Sequence, residues 1–312
     1  TTAVYGGSSI TDQIRSLREK PQIIVGTPGR VIDLIGRKAL DFSEIHWLVL
    51  DEADEMLSMG FKDDLETILN ETPSEKQTLL FSATMSKEVE RITKNYLTNP
   101  HRISVGSINE VKKNIKHEYY VVGYRQKKEA LKRLLDANPN QYSIIFCRTR
   151  METQEVADFL MQNAYAADAL HGDLSQAQRD TVMKKFRLKN IDILVATDVA
   201  ARGLDVNSLT HVIHYSLPDD PEVFVHRSGR TGRAGKDGIS MSLIKPEESR
   251  KLKQIKLSTK IEIVEKKIPT GEEIIKAQVE GVFEKLFTEH EDLFTFDDSL
   301  IPDLSAFSKE EL

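Results

Sequence analysis

The sequence holds a single cysteine, Cys147, in 312 residues, so no intramolecular disulfide can form. It also lacks the Cys/His clusters of a structural zinc site. Both absences predict a reducing, cytoplasmic setting. No run approaches the roughly 18 uninterrupted apolar residues of a membrane-spanning helix, so no membrane partner is expected. No signal or transit segment is legible in the opening TTAVYGG, which begins without methionine and close to a strand end; the expectation is a cut edge. Disorder is excluded as well, because 39% hydrophobic and 29% charged residues are ordinary for globular chains. The length suits about two domains, each with its own core.

What is present is unevenly charged. Residues 269–312 carry twelve acidic and three basic side chains, leaving 37 acidic and 40 basic in residues 1–268. A mildly basic body that leaves phosphate binding open is followed by an acidic tail. Within the body, short β-branched runs alternate with helix-period stretches: IIVG before RVIDLIGRKAL, WLVL before ADEMLSMGF, TLLFS before SKEVERITKNYL. Such alternation predicts an α/β fold with parallel sheets. The pattern restarts beyond a polar interval at Gly106–Lys116 with EYYVVG, SIIFC, YAADALHG, DILVAT, HVIHYS and GISMSLI. Two α/β domains are therefore expected, the second with six strands. The first offers four or five, counting a stub at Val4–Tyr5, and is expected to be incomplete on its amino-terminal side.

Ligands of open parallel sheets sit beyond the carboxyl ends of the strands, and the polar clusters fall there. Asp51 and Glu52 follow WLVL, Ser82 and Thr84 follow TLLF, and Thr27 to Arg30 follow IIVG. In the second half, Arg148 to Arg150 follow SIIFC, and Thr197 and Asp198 follow DILVA. Asp51, Glu52, Asp54 and Glu55 crowd directly behind an apolar strand. Adjacent carboxylates in that position suit a hard cation such as Mg²⁺, held through water by one of them, while the neighbour takes a proton from an attacking water. Acids also favour the first turn of a helix, so capping alone is the other reading. In HRSGRTGRAG, Arg227, Arg230 and Arg233 recur every third residue with Gly229, Gly232 and Gly235 between them. That spacing lets a phosphate approach the backbone while guanidinium groups offset its charge. A solvated basic turn is the alternative there.

Taken together these residues resemble the DEAD-box RNA helicases over about residues 1–265. The resemblance rests on Asp51-Glu52-Ala53-Asp54, TPGR at Thr27–Arg30, SAT at Ser82–Thr84, IIFCRTR at Ile144–Arg150, TDVAARGLD at Thr197–Asp205 and HRSGRTGR at His226–Arg233, in the family's order. It implies two RecA-like parallel-sheet domains in tandem, residues 1–105 and 118–268, with a linker at 106–117 and the acidic tail at 269–312. It implies ATP and Mg²⁺ as cofactors and RNA as partner, single-stranded or in a short duplex, bound without sequence preference. Asp51 would hold Mg²⁺ through water, Glu52 would be the general base, Arg230 and Arg233 would be arginine fingers, and Asp205 and Gly203 would lie at the nucleotide. Asp54, Ser82, Thr84 and His226 would couple the domains. RNA would meet Gly6, Gly7, Thr27, Gly29 and Arg30 on the first domain, and Arg148, Thr149, Gly172, Arg179 and Thr197 on the second.

One feature of the family is missing. A phosphate cradle needs G-x-x-x-x-G-K-[ST], whose backbone N–H groups and lysine surround the phosphates, but the one Gly-Lys pair here, Gly235–Lys236, is followed by Asp237. The expectation is the carboxyl-terminal part of a helicase, with little ATP hydrolysis of its own. An ATP-independent RNA-binding module or pseudoenzyme is the alternative. A metal-dependent hydrolase is a third reading, weakened by the lack of histidines beside the carboxylates. In the tail, Val282, Phe283, Leu286, Phe287 and Leu293 stand partly at helical spacing, which leaves open a protein partner or a self-packed terminus.

Overall fold

Each of the β-branched runs becomes a strand in the structure, a computed structural model that describes residues 1–104, 114–201, 206, 209–233 and 235–289. The first part runs β1 (Thr2–Val4), α1 (Ile10–Leu17), β2 (Ile24–Gly26), α2 (Pro28–Gly36), β3 (Trp47–Leu50), α3 (Ala53–Ser58), α4 (Lys62–Asn70), β4 (Gln77–Leu80) and α5 (Lys87–Tyr96). Its strands form two parallel pairs, β1 with β2 and β3 with β4. Each pair buries one face. Val4 packs with Leu17, Val31, Leu34 and Ile68, while Leu48, Leu50 and Leu80 meet Leu65, Leu69 and Ile92.

The opposite faces are apolar yet open to solvent. Val25 is 60% and Trp47 66% exposed, and Val49, Leu79 and Phe81 share the Trp47 side of the β3–β4 pair. Strands that are apolar on both sides belong to sheets covered on both sides. Here only one cover is present among the described residues.

The second part shows the covered arrangement in full. It runs β5 (Ile115–Val121), α6 (Lys127–Asp136), β6 (Ser143–Cys147), α7 (Arg150–Gln162), β7 (Ala167–Leu170), α8 (Gln176–Arg187), β8 (Ile193–Thr197) and α9 (Asp198–Ala201). It continues through β9 (His211–His214), α10 (Pro221–Ser228), β10 (Gly238–Ile244), α11 (Ser249–Thr259), β11 (Ile263–Glu265) and α12 (Gly271–Glu289). The strands pair in parallel in the order β11-β5-β10-β9-β6-β8-β7. One face packs Ile145, Val195, Ile213 and Leu243 against α6 and α7 through Leu131, Leu134, Val156 and Leu160. The other packs Ile144, Leu194 and Val212 against Phe186 of α8, and Ile244 and Ile263 against Phe224, Leu252 and Ile255 of α10 and α11. Every residue of β6 and β8 is buried, as two covers require.

Two boundaries differ from the sequence expectation. A seventh strand, β11, joins the edge of the sheet beside β5. The interval expected as a linker to residue 117 already becomes strand at Ile115, because His117 takes a buried position that the polar run Asn114–Glu118 disguises. Residues 105–113 lie outside the described residues. Within the acidic tail, α12 starts on a Thr270–Glu273 cap and lies along the second domain, where Asn140 Nδ2 donates to Gly281 O at 3.4 Å. Leu293 lies outside the described residues, as does the rest of 290–312. No helix of the described residues is long and apolar enough to cross a membrane.

Candidate active site

Beyond β3 the chain passes through Asp51 and Glu52, both exposed, before α3 begins. Glu52 sits in the left-handed region at φ 51°, ψ 47°, and the Asp51 carboxylate accepts its amide at 3.0 Å. A residue with a Cβ pays about 1–2 kcal/mol for this conformation, a local strain of the kind that collects at functional sites. Next along the chain, Ala53 N donates to Phe81 O at 3.0 Å, which ties the start of α3 to the end of β4. That tie brings the SAT segment onto the carboxylates. Asp54 Oδ2 accepts from both the amide and the hydroxyl of Thr84 at 2.7 Å, and Ser82 Oγ donates to Thr84 O at 2.6 Å. Burial alone would raise the Asp54 carboxyl, but the two Thr84 hydrogen bonds, the His226 charge and Ser82 outweigh it and hold the pKa below the usual carboxylate range.

The facing wall comes from α10, which Asp220 caps and Pro221 starts. His226 Nδ1 hydrogen-bonds Glu55 Oε1, and His226 Nε2 lies 3.8 Å from Asp54 Oδ2. The Thr84 hydroxyl is also 3.3 Å from Glu222 Oε2, so its one proton is shared unequally between Asp54 and Glu222. Arg227 turns inward instead. It forks onto Asp198 at 2.5 and 2.7 Å, donates to Ser216 O at 2.7 Å and lies over the Phe146 ring. Arg230 lines a cavity of about 20 Å³ with Glu55, Asp198 and His226, and Arg233 Nε donates to Gly229 O at 3.4 Å. The loop between them is pinned to the sheet by Thr231, whose hydroxyl donates to Leu209 O, and by Gly232 at φ +62°. Asp205 and Gly203 lie outside the described residues.

The residues expected to meet RNA fall at strand ends and helix starts. Thr27 precedes α2, with Gly29 and Arg30 in its first turn; Arg30 donates to Gln13 Oε1 at 2.9 Å and to Ser8 O. Thr149 caps α7, and Arg148 Nη2 donates to Leu217 O at 3.1 Å. Gly172 lies against Arg150, which pairs with Asp173 at 2.5 Å. Arg179 stands in the first turn of α8, behind a Ser175–Gln178 capping box. Thr197, by contrast, is buried. Gly6 and Gly7 follow β1, and Gly7 needs its left-handed φ of +81°. A Cβ on Gly7 would stand 3.5 Å from Gln176 Oε1, so the first domain's glycine turn meets the start of α8 across the cleft.

Glu55, Glu222 and Gln176 make these cross-cleft contacts without having been singled out by motif. The signal for the first was present, since Glu55 is the fourth carboxylate of the acidic cluster. That for Glu222 lies in its spacing, one helical turn ahead of His226.

The arrangement suits one half of a nucleotide site. Among the described residues no three His, Cys, Asp or Glu side chains gather as a metal cage. A lone strand-end carboxylate fits Mg²⁺, which keeps several waters and leans on phosphate oxygens. The phosphate cradle has no counterpart in the sequence.

The family model described as DEAD/DEAH box helicase matches residues 1–92, and that described as Helicase conserved C-terminal domain matches residues 126–235. The DEAD-box ATP-dependent RNA helicase CshA of Bacillus subtilis (strain 168) is 46% identical over 285 residues, 91% of this chain and 58% of that protein. CshA of Geobacillus kaustophilus (strain HTA426) is 47% identical over 283 residues, 91% of this chain and 61% of that one. The chain thus spans little more than half the length of these curated relatives. Among solved structures, S. cerevisiae Dbp5 bound to RNA and ADP BeF3 is 30% identical with a TM-score of 0.76, over 89% of this chain and 73% of that one. Mss116p bound to ssRNA and AMP-PNP is 26% identical with a TM-score of 0.73, over 93% and 64%.

Proposed function

The chain belongs to the DEAD-box RNA helicase family, and on that premise we propose that it supplies the RNA clamp and the water-activating carboxylates of an ATP-dependent RNA helicase. The carrying observation is the pairing of the two domains across one cleft, at His226 with Glu55 and at Gly7 with Gln176. In this reading residues 1–105 and 118–268 are the two clamp domains. ATP with Mg²⁺ supplies phosphoryl transfer to water. Glu52 takes the proton of that water, Asp51 holds Mg²⁺ through water, and Arg230 and Arg233 offset negative charge from the opposite domain. Asp54, Ser82, Thr84 and His226 transmit the state of this site between the domains.

Gly6, Gly7, Thr27, Gly29, Arg30, Arg148, Thr149, Gly172 and Arg179 form the RNA face, with the buried Thr197 behind it at the end of β8. These are backbone amides, hydroxyls and guanidinium groups, which meet phosphates and sugars and carry no base code. Closure over a single strand opens a short duplex locally. The open apolar faces of the two strand pairs support a further layer of polypeptide, which would bring the phosphate cradle; without it these 312 residues turn over ATP poorly. The missing cradle motif equally favours a second reading, an RNA-binding module that works without ATP. A cytoplasmic site and a protein partner for the acidic tail belong to the same proposal.

The test is fluorescence anisotropy with two single-stranded RNAs of unrelated sequence. Both should bind alike, with affinity falling steeply as salt rises, and Arg179→Ala should lower the salt slope by about one. Strong preference for one RNA, or indifference to salt, would contradict the reading.

A further inference from the structure

Lys127 opens α6 and is 4% exposed, an unusual depth for a lysine. Its ammonium lies 4.6 Å from the centre of the Tyr215 ring and, among the described residues, makes no hydrogen bond or ion pair. Glu152 and Glu248 act on it from a distance, but both are engaged elsewhere. Glu152 accepts from Ser216 Oγ at 2.9 Å and from Arg148 N at 2.7 Å, and Glu248 accepts from Lys245 N at 2.9 Å. Burial lowers the Lys127 pKa against the pull of those two carboxylates. The ammonium is not sealed from solvent, unlike the partnerless ring nitrogens of His117. A cation at that depth without a counter-ion carries a desolvation cost that an anion would relieve.

What surrounds it suits a nucleic acid. Tyr124, just ahead of Lys127, is 77% exposed, with Lys245 Nζ 4.9 Å from its ring centre. Strands β5, β10, β9 and β6 stand side by side with their carboxyl ends level, Val122 N donating to Ile244 O and Ser216 N to Phe146 O. The Leu217 carbonyl beyond β9 accepts from Arg148 Nη2 at 3.1 Å and from Lys251 Nζ at 2.9 Å, and Asp219 is shared by the same two cations. The RNA face of this domain lies at the ends of β7, β8 and β6, and the sheet order makes β9, β10 and β5 its continuation. Tyr124 thus stands three strand spacings, about 14 Å, beyond Arg148. An open aromatic ring with a cation on it is a platform for a base, and the deeper cation is a partner for phosphate. An acidic protein segment would use the cations but leave Tyr124 nothing to stack on.

We propose that single-stranded RNA continues past Arg148 along the carboxyl ends of β9, β10 and β5, where Tyr124 stacks a base and Lys127 with Lys245 takes the adjoining phosphate. The subsite rests on the RNA-clamp reading for its ligand. It adds length to the bound strand and no sequence preference, since every base has a stacking face. All of its residues lie in the second domain, so it works without ATP.

Fluorescence anisotropy with the 312-residue chain tests it, using uridine homopolymers of about 6 and about 12 nucleotides. The longer RNA should bind more tightly. Tyr124→Ala should weaken it about tenfold and leave the shorter one within about twofold, while Tyr124→Phe, which keeps the ring, should match the parent. Lys127→Met keeps the packed side chain and should lower the salt slope for the longer RNA by about 0.7, with circular dichroism confirming the fold. Variants that bind the longer RNA like the parent, or that lose both RNAs equally, would overturn the subsite. So would loss of polyglutamate binding in Tyr124→Ala with both RNAs unaffected, which would assign the patch to an acidic protein segment. A parent chain that bound neither RNA would sink the RNA-clamp reading itself, whereas equal affinity for the two lengths would sink the subsite alone.

Discussion

Arg227, Arg230 and Arg233 look interchangeable in HRSGRTGR, one every third residue, and their surroundings separate them. Arg227 is 3% exposed and clasps Asp198, Ser216 O and the Phe146 ring, whereas Arg230 lines the cleft cavity beside Glu55 and His226, and Arg233 donates back to Gly229 O. Arg227 therefore holds α10 onto the sheet. Arg227→Ala would leave the Asp198 carboxylate and a buried carbonyl without their partner, a loss of about 3 kcal/mol after allowing for the partial exposure of Asp198. The urea midpoint should fall accordingly, and an unchanged midpoint would count against the clasp. Residue identities at strand ends were legible from motifs, but which arginine turns inward was not, because a repeat of three says nothing about burial. The left-handed Glu52 was equally hidden, since glutamate carries no mark of a positive φ.

Strands and helices were more legible than single contacts. Nine apolar runs placed β2 to β10, all but the alanine-rich β7 by their β-branched residues, and only boundaries moved. β11 escaped because three residues flanked by Glu262 and Lys266 give too short a pattern. The start of β5 escaped because a histidine fills a core position. That histidine has a measurable consequence. Burial pushes His117 on β5 and His211 on β9 down to about 4, the opposite direction to His226. Their native values lie below the unfolded value, so the unfolded chain gains protons first as pH falls from about 6.5 toward 4, and stability declines over that window. Each histidine should cost about 2 kcal/mol between pH 7 and 5. Urea melts at the two pH values measure it, and His117→Phe should shrink the difference. A difference unchanged by that substitution would contradict the account.

At the scale of the molecule, the sequence showed two α/β units and the order of their strand-end clusters, but not how the units meet. Glu55 and His226 are 171 residues apart, and Gly7 approaches Gln176 only because β1 ends and α8 starts on the same side of one cleft. Such pairings depend on tertiary placement that no local pattern encodes. The open faces of the β1–β2 and β3–β4 pairs were foreshadowed by the short strand count of the first half, and they share a physical meaning with the missing G-x-x-x-x-G-K-[ST] motif. On the proposed reading the chain carries the groups that activate water and offset charge, while its sequence holds no G-x-x-x-x-G-K-[ST] phosphate cradle. The most direct measurement is phosphate release by these 312 residues in the presence of ATP, Mg²⁺ and RNA, with Glu52→Gln as the background. The account predicts no release above that background. RNA-stimulated release that Glu52→Gln abolishes would show that the chain grips ATP by other means and would contradict it.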